Sequence, residues 1–160
     1  MEADIPEPDV EVDSISPEAL KSRIDDGEPI TILDTRATSE FEDWKIDGPA
    51  VENVNVPYFE FLTGDYDPEL VEEVPKDTEV VVSCAKGASS EYVASLLAED
   101  GYDVTHLADG MEGWAMVYES IELDAGGDAT VVQYQRPSSG CLAYLVVSGD
   151  EAAVVDPLRA

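Results

Sequence analysis

Residues 80–90 have the sequence Val-Val-Val-Ser-Cys-Ala-Lys-Gly-Ala-Ser-Ser, and a helical pattern follows them from Glu91 to Asp100. Three consecutive valines predict a buried strand, and the small polar residues after them predict a loop that opens directly into the helix. This order places Cys84 at the carboxyl end of a strand and at the amino end of a helix.

A thiol in that position is suited to nucleophilic chemistry. Backbone N–H groups and the positive end of the helix dipole favour an anion there, so we expect Cys84 to lose its proton more readily than a free thiol. Gly87 lets the backbone curve around the sulfur. Ser89 and Ser90 are expected to cap the helix or to offer hydroxyls to the group that the sulfur carries. The alternative is that Cys84 is a small buried apolar residue at a strand end.

Composition limits the class of protein. A length of 160 residues with 44% apolar residues predicts one globular domain, with room for a fragment of a second. Thirty-seven acidic and eight basic residues give a net charge of −29, which excludes a nucleic-acid or anionic-membrane binder. Such an acidic surface stays hydrated at very high salt, where the Debye length is about 3 Å, so we expect a salt-loving source organism.

Location and cofactor use follow from what the sequence lacks. The start from Met1 to Pro8 has neither positive charge nor an apolar run, and no stretch approaches membrane-spanning length, so we expect a cytoplasmic location. Cys84 and Cys141 lie far apart without paired spacing, which predicts neither a disulfide framework nor a zinc site. We expect no cofactor.

Predicted strands alternate with predicted helices along most of the chain. The strands are 10–15, 30–34, 54–57, 80–82 and 102–107, and the helices are 17–26, 38–44, 90–100 and a short one after residue 110, with two short helical pieces between 58 and 74. This alternation predicts an α/β fold with a parallel sheet covered on both faces. Arg36 follows the second strand, at the sheet edge where such folds place their chemistry.

The pattern changes after Leu123. Residues 125–128 form a flexible joint, and strands at 130–135, 141–148 and 152–155 with a turn at Ser148-Gly149-Asp150 predict a short antiparallel β segment. We therefore expect a first domain over residues 1–123 and a β-rich tail over residues 124–160.

Six motifs, taken in order, resemble those of the rhodanese family. They are Leu33-Asp34-Thr35-Arg36, Glu40-Phe41, Ile46-Asp47-Gly48, Asn55-Val56-Pro57, Cys84 to Ser90, and Asp109-Gly110-Met111-Glu112-Gly113-Trp114, within residues 10 to 120. The resemblance implies a sulfurtransferase in which Cys84 carries a persulfide sulfur from a small donor, thiosulfate or a polysulfide or persulfide, to a thiol or cyanide acceptor. It also implies a cradle of backbone N–H groups, which would come from Ala85, Lys86, Gly87, Ala88, Ser89 and Ser90.

The sequence departs from the family pattern at two charged positions. Family members often carry an arginine where Ser89 stands and a histidine where Lys45 stands, and the missing arginine would have held an anionic donor such as thiosulfate. Lys86 and Arg36 are expected to compensate in part by contacting the substrate, although Arg36 could equally be a structural partner of a nearby carboxylate. A related phosphatase loop requires arginine where Ser90 stands, which excludes a phosphatase.

The tail resembles the opening strands of a metallo-β-lactamase-fold hydrolase of the glyoxalase II and persulfide dioxygenase type, through residues 133–145 and 152–157. That family binds metal through a histidine-rich motif, and the chain has a single histidine, His106, so we expect no metal site. The resemblance implies a fused or associated metallohydrolase domain. It opens an alternative function, a weakly or non-catalytic persulfide-binding or regulatory module, and a scaffold without chemistry is the third possibility.

Overall fold

The structure is a computed structural model that describes residues 5–157. The chain forms two compact units, which divide between Trp114 and Ala115.

The first unit contains a five-stranded sheet in which every neighbouring pair is parallel. The strands lie in the order β1-β5-β4-β2-β3. Their bounds are Ser14–Ile15 for β1, Ile30–Asp34 for β2, Val51–Asn55 for β3, Val80–Ser83 for β4 and Val104–Leu107 for β5. The helices are α1 Pro17–Asp25, α2 Thr38–Asp43, α3 Ala88–Glu99 and α4 Gly110–Trp114, and the two 3₁₀ helices are Tyr58–Glu60 and Pro68–Val71.

The central strands explain why this sheet forms. Every residue of β2 and of β4 is buried, which requires cover on both faces of the sheet and accounts for the predominance of apolar residues in these strands. Leu33, Val80 and Val82 pack with Phe61, Val93 and Leu97 in one core cluster. The predicted α/β fold with a covered parallel sheet is confirmed.

The capping residues in the sequence predicted the start of α1 correctly, whereas the predicted bounds of the first and third strands were less accurate. The Ser16 hydroxyl accepts the Ala19 N–H at 3.2 Å, and Pro17 is the first residue of the helix, as the sequence predicted. The first strand is only Ser14–Ile15, because just two of its residues pair with β5. The third strand begins at Val51 rather than at residue 54, because all five residues of β2 have partners on it.

The second unit is a four-stranded antiparallel sheet in the order β6-β7-β8-β9. The strands are Glu119–Leu123, Thr130–Arg136, Cys141–Ser148 and Glu151–Val155. The three predicted tail strands are confirmed to within one residue. A two-residue turn joins β8 to β9, since Ser148 pairs with Glu151, and Gly149 has a φ of +58° there.

The strand β6 was not predicted. Residues 119–123 were predicted to belong to the first domain, whereas β6 pairs with β7 along its whole length. The expected tail of residues 124–160 therefore omits one strand of its sheet. Whether the two parts fold as independent domains remains a prediction. No helix within residues 5–157 is long and apolar enough to span a membrane.

Candidate active site

The site lies at the carboxyl edge of the parallel sheet, where β2 and β4 end side by side. Asp34 pairs with Ser83 in this register, so the residues that follow each strand leave the sheet at the same place. Thr35 fastens the two strand ends, because its N–H and its hydroxyl both donate to the Ser83 carbonyl, at 2.8 and 2.9 Å. Sequence reasoning assigned no role to Thr35, a fully buried residue one position from Arg36.

The Cys84 sulfur is held by two hydrogen bonds. The Gly87 N–H donates to Sγ at 3.0 Å, and the Cys84 thiol donates to the Ser90 hydroxyl oxygen at 3.2 Å. The Ser90 O–H in turn donates to the Gly87 carbonyl at 2.9 Å. Gly87 has a φ of +101°, a conformation that side chains disfavour, so it allows the loop to curve back over the sulfur as predicted. A backbone N–H does face the thiol.

The sulfur lies deeper than a reachable nucleophile was expected to lie. Cys84 is only 2% exposed, and the loop residues Ala85, Lys86 and Ala88 are exposed above it. Of the backbone N–H cradle predicted from Ala85 to Ser90, the N–H of Gly87 is the one that donates to Sγ among the described residues. Ser90 contacts the sulfur through its side-chain hydroxyl, which accepts a hydrogen bond from the thiol.

The expectation that Ser89 or Ser90 caps the following helix is wrong. The helix α3 begins at Ala88, and the capping position belongs to Gly87, without a side-chain hydrogen bond. Ser90 lies inside the first turn, where its hydroxyl bonds backwards to the Gly87 carbonyl, and Ser89 is half-buried. The sequence could not separate these roles, because either serine could precede the first helical turn.

Arg36 lies in a buried ion pair. Its guanidinium donates to the Asp34 carboxylate through Nε at 3.0 Å and through a terminal nitrogen at 2.6 Å, and that nitrogen also donates to the Trp44 carbonyl at 2.6 Å. Arg36 is 7% exposed and Asp34 is 1% exposed. Of the two roles that the sequence left open for Arg36, these contacts describe the structural one, and a contact with substrate remains a prediction.

Lys86 is an exposed side chain on the loop rim. Its ammonium nitrogen lies 3.9 Å from the Glu112 carboxylate, and the two side chains are 64% and 67% exposed. A solvent-exposed pair of this kind contributes little stability, but it does offset the positive charge of the loop.

The turn before α4 packs directly behind the cysteine loop. The Met111 N–H donates to the Cys84 carbonyl at 2.7 Å, and the Glu112 N–H donates to the Ala85 carbonyl at 3.0 Å. Asp109 and Gly110 precede these donors with φ values of +56° and +54°. The sequence marked this motif as part of a resemblance, but its contact with the loop is visible only in the fold.

His106 lies on β5, where it pairs with Val82 of β4. Burial lowers the pKa of its imidazole below the usual value, and the nearby Glu91 carboxylate opposes this effect in part. Within residues 5–157, no group of three or more His, Cys, Asp or Glu side chains is placed to hold a metal ion. Cys141, the second cysteine, is exposed on β8 of the other unit.

The fold and the loop define an α/β domain that presents a cysteine at the start of a helix. A family model described as "Rhodanese-like domain" matches residues 16–116, and the chain belongs to this family. The predicted resemblance over residues 10 to 120 is therefore confirmed.

Named relatives include sulfurtransferases. "Putative sulfurtransferase YtwF" of Bacillus subtilis is 30% identical over 105 residues, which cover 66% of this chain and 92% of that protein. "Thiosulfate sulfurtransferase GlpE" of Tolumonas auensis is 41% identical over 58 residues, 36% of this chain and 55% of that protein. "Putative sulfur carrier protein YrkF" of Bacillus subtilis is 29% identical over 104 residues, 64% of this chain and 51% of that protein.

A solved structure shows the same fold. The rhodanese-like domain protein from Staphylococcus aureus superposes with a TM-score of 0.53 at 24% identity, over 64% of this chain and 91% of that one. At this identity the likeness concerns the fold alone.

Proposed function

We propose that this chain is a sulfurtransferase domain that carries sulfane sulfur as a persulfide on Cys84. The observation that carries the proposal is the Gly87 N–H aimed at Sγ at 3.0 Å, at the start of α3. A hydrogen-bond donor and a helix N-terminus both stabilise negative charge on sulfur, and the thiolate is the nucleophilic form. Membership of the rhodanese-like family supports the same chemistry.

The transfer takes two steps. The Cys84 thiolate attacks the outer sulfur of the donor, a new S–S bond forms, and the old bond to that sulfur breaks with its electron pair on the leaving group. The leaving group is sulfite from thiosulfate, a thiolate from a persulfide, or a polysulfide shortened by one sulfur from a polysulfide. A cyanide or thiolate acceptor then attacks the outer sulfur of the persulfide, and the Cys84 thiolate leaves. No oxidant or reductant is consumed.

Charge at the site favours a donor of low charge, such as an organic persulfide, over the dianion thiosulfate. Thiosulfate carries two negative charges, and the cations expected to attract it each lie beside a carboxylate, Arg36 beside Asp34 and Lys86 beside Glu112. The net charge of −29 also repels anions, most strongly at low salt. One relative is named as a thiosulfate sulfurtransferase, and this chain spans 55% of the length of that protein. The name describes the donor of the relative and not the donor of this chain.

Turnover tests this proposal. Wild type in concentrated KCl, given a donor and cyanide, should form thiocyanate, and Cys84→Ser should form none while remaining folded by circular dichroism. Equal thiocyanate formation by the two proteins would refute the proposal. Thiosulfate and cysteine persulfide should be compared, and the persulfide, which carries less negative charge, should give the faster reaction.

The second candidate is a persulfide-binding or regulatory module with little turnover. It is favoured by the similarity to a protein named as a sulfur carrier and by the second unit, a separate antiparallel sheet next to the rhodanese-like part in the chain. In that case wild type would gain one sulfur on Cys84 without forming thiocyanate.

The tail motivates a related proposal, that this domain acts with a fused or associated metallohydrolase of the glyoxalase II or persulfide dioxygenase type. A gene that encodes a histidine-rich metal motif downstream of Ala160 would support it. A salt-loving source and a cytoplasmic location likewise remain predictions from the sequence.

A further inference from the structure

The feature that carries a further inference is the contact between the Asp109–Gly110 turn and the cysteine loop. The backbone of this turn lies so close to the loop that the first donors of α4 reach two loop carbonyls. Met111 N–H bonds to the Cys84 carbonyl at 2.7 Å, and Glu112 N–H bonds to the Ala85 carbonyl at 3.0 Å.

Glycine is required for this approach. A Cβ atom at Gly110 would lie 2.3 Å from the Cys84 carbonyl oxygen and 2.8 Å from the Lys86 nitrogen. Both are backbone atoms, so a side chain at Gly110 cannot be accommodated by turning another side chain aside. The turn or the loop would have to move.

The contact fixes the direction of the loop's dipoles. Two successive carbonyls, those of Cys84 and Ala85, are bonded to α4, and the Gly87 N–H faces the sulfur. A carbonyl oxygen turned towards a thiolate would repel it, whereas an N–H group stabilises it. The contact therefore favours the loop conformation that Cys84 needs as a nucleophile.

We propose that Gly110 is a positioning residue for sulfur transfer, because its missing side chain lets α4 hold the Cys84 and Ala85 carbonyls and so keeps the Gly87 N–H on the sulfur. This inference rests on the proposed function and extends it to a residue that does not touch substrate.

Gly101 provides a matched control. Both glycines have a positive φ, +54° at Gly110 and +84° at Gly101, so alanine is strained at either position. Nothing lies within 4 Å of a Cβ at Gly101, so Gly101→Ala adds the strain without the collision. The difference between Gly110→Ala and Gly101→Ala reports the loop contact.

The test measures thiol reactivity and sulfur loading in a Cys141→Ser background, which leaves Cys84 as the single thiol. Alkylation by iodoacetamide is followed as a function of pH, and loading is followed by intact mass with an inorganic polysulfide. Gly110→Ala should move the alkylation midpoint to higher pH and slow loading by about 10- to 100-fold per folded molecule. Gly101→Ala should keep the wild-type midpoint and rate.

A wild-type midpoint and loading rate in Gly110→Ala would overturn the inference, as would an equal change in Gly101→Ala. If wild type loads no sulfur, the proposed function fails and the role of Gly110 in sulfur transfer fails with it, and a midpoint that shifts only in Gly110→Ala would then show that Gly110 positions the Cys84 thiol alone. If wild type loads sulfur and Gly110→Ala matches it, the positioning role alone fails.

A second pair of variants covers the case in which Gly110→Ala does not fold. Glu112→Pro replaces the N–H that bonds to the Ala85 carbonyl with a ring carbon, which both removes the donor and pushes that carbonyl away from α4. Glu112→Ala removes the same side chain and keeps the N–H. Glu112→Pro should shift the midpoint to higher pH relative to Glu112→Ala, and identical profiles would overturn the inference.

Discussion

Removing one partner of the buried Asp34–Arg36 pair should cost more stability than removing both. The pair is 1% and 7% exposed, and its shortest contact is 2.6 Å. Asp34→Ala leaves a buried guanidinium with the Trp44 carbonyl as its acceptor, and Arg36→Met leaves a buried carboxylate. An uncompensated buried charge lowers the free energy of unfolding by about 3–5 kcal/mol, whereas exchange of both partners for apolar groups is often close to neutral.

The assay is a double-mutant cycle by urea unfolding in concentrated KCl, followed by tryptophan fluorescence. Asp34→Ala and Arg36→Met should each lose about 3–5 kcal/mol. The double variant should lose less stability than either single variant, because exchange of both partners for apolar groups leaves no unpaired buried charge. Losses that add to within about 0.5 kcal/mol would refute the coupling. Single losses below about 1 kcal/mol would mean that the pair behaves as an exposed one.

The same variants decide the role of Arg36. If its guanidinium serves Asp34 and Trp44, Arg36→Met should load sulfur at the wild-type rate per folded molecule. A loss of loading at full folding would instead show that Arg36 contacts the donor, as the sequence analysis expected.

Three further predictions concern the sulfur, the single histidine and the surface charge. Ser90→Ala removes the hydroxyl bond to the Gly87 carbonyl, which keeps the Glu91 N–H as a donor at 3.2 Å, so it should lose about 0.5–1.5 kcal/mol of unfolding free energy. Ser90→Ala should also slow the loading of sulfur onto Cys84. The control Ser95→Ala loses a similar hydrogen bond, to the Tyr92 carbonyl, and should lower the stability without slowing sulfur loading. Equal rates of sulfur loading in the two variants would contradict this prediction. Burial lowers the pKa of His106, so the free energy of unfolding of wild type should fall relative to that of His106→Gln as the pH falls through about 6.5. A difference in unfolding free energy that stays constant between pH 8 and pH 5 would contradict this. Raising the KCl concentration from about 0.1 to 1 M shortens the Debye length from about 10 to 3 Å, which weakens the repulsion between surface carboxylates and should raise the melting temperature. A melting temperature that does not change with KCl would contradict the idea that charge repulsion destabilises the protein at low salt.

The central strands could be predicted from the sequence because strands that are buried on both faces consist mostly of apolar residues. Strands β2 and β4 are covered on both faces, so they appear as apolar runs next to polar loop residues, and Cys84 follows directly. The first and third strands were less exact, because their lengths depend on pairing with β5 and β2.

The strand β6 escaped prediction for a related reason. Its sequence, Glu-Ser-Ile-Glu-Leu, has two large apolar residues, and the central one, Ile121, is 60% exposed. Its strand conformation comes from pairing with β7, which a local pattern does not contain.

The site was predicted in outline and not in its contacts. The position of Cys84 and the turn at Gly87 follow from residues next to each other in the chain. The contact of Gly110 with the Cys84 carbonyl joins two loops that are distant in sequence, and neither loop reveals it alone. Arg36 was left open because its partner, Asp34, lies two residues away at a strand end, where a side chain can face either the protein or the substrate.

The most direct test of the central claim is to locate the sulfur after incubation with a polysulfide. Peptide mass analysis of wild type should find one added sulfur on Cys84, and Cys141→Ser should retain it. Cys84→Ser should lose it, although its exposed Cys141 thiol remains available. Sulfur found on Cys141 alone, or undiminished loading of Cys84→Ser, would contradict the account.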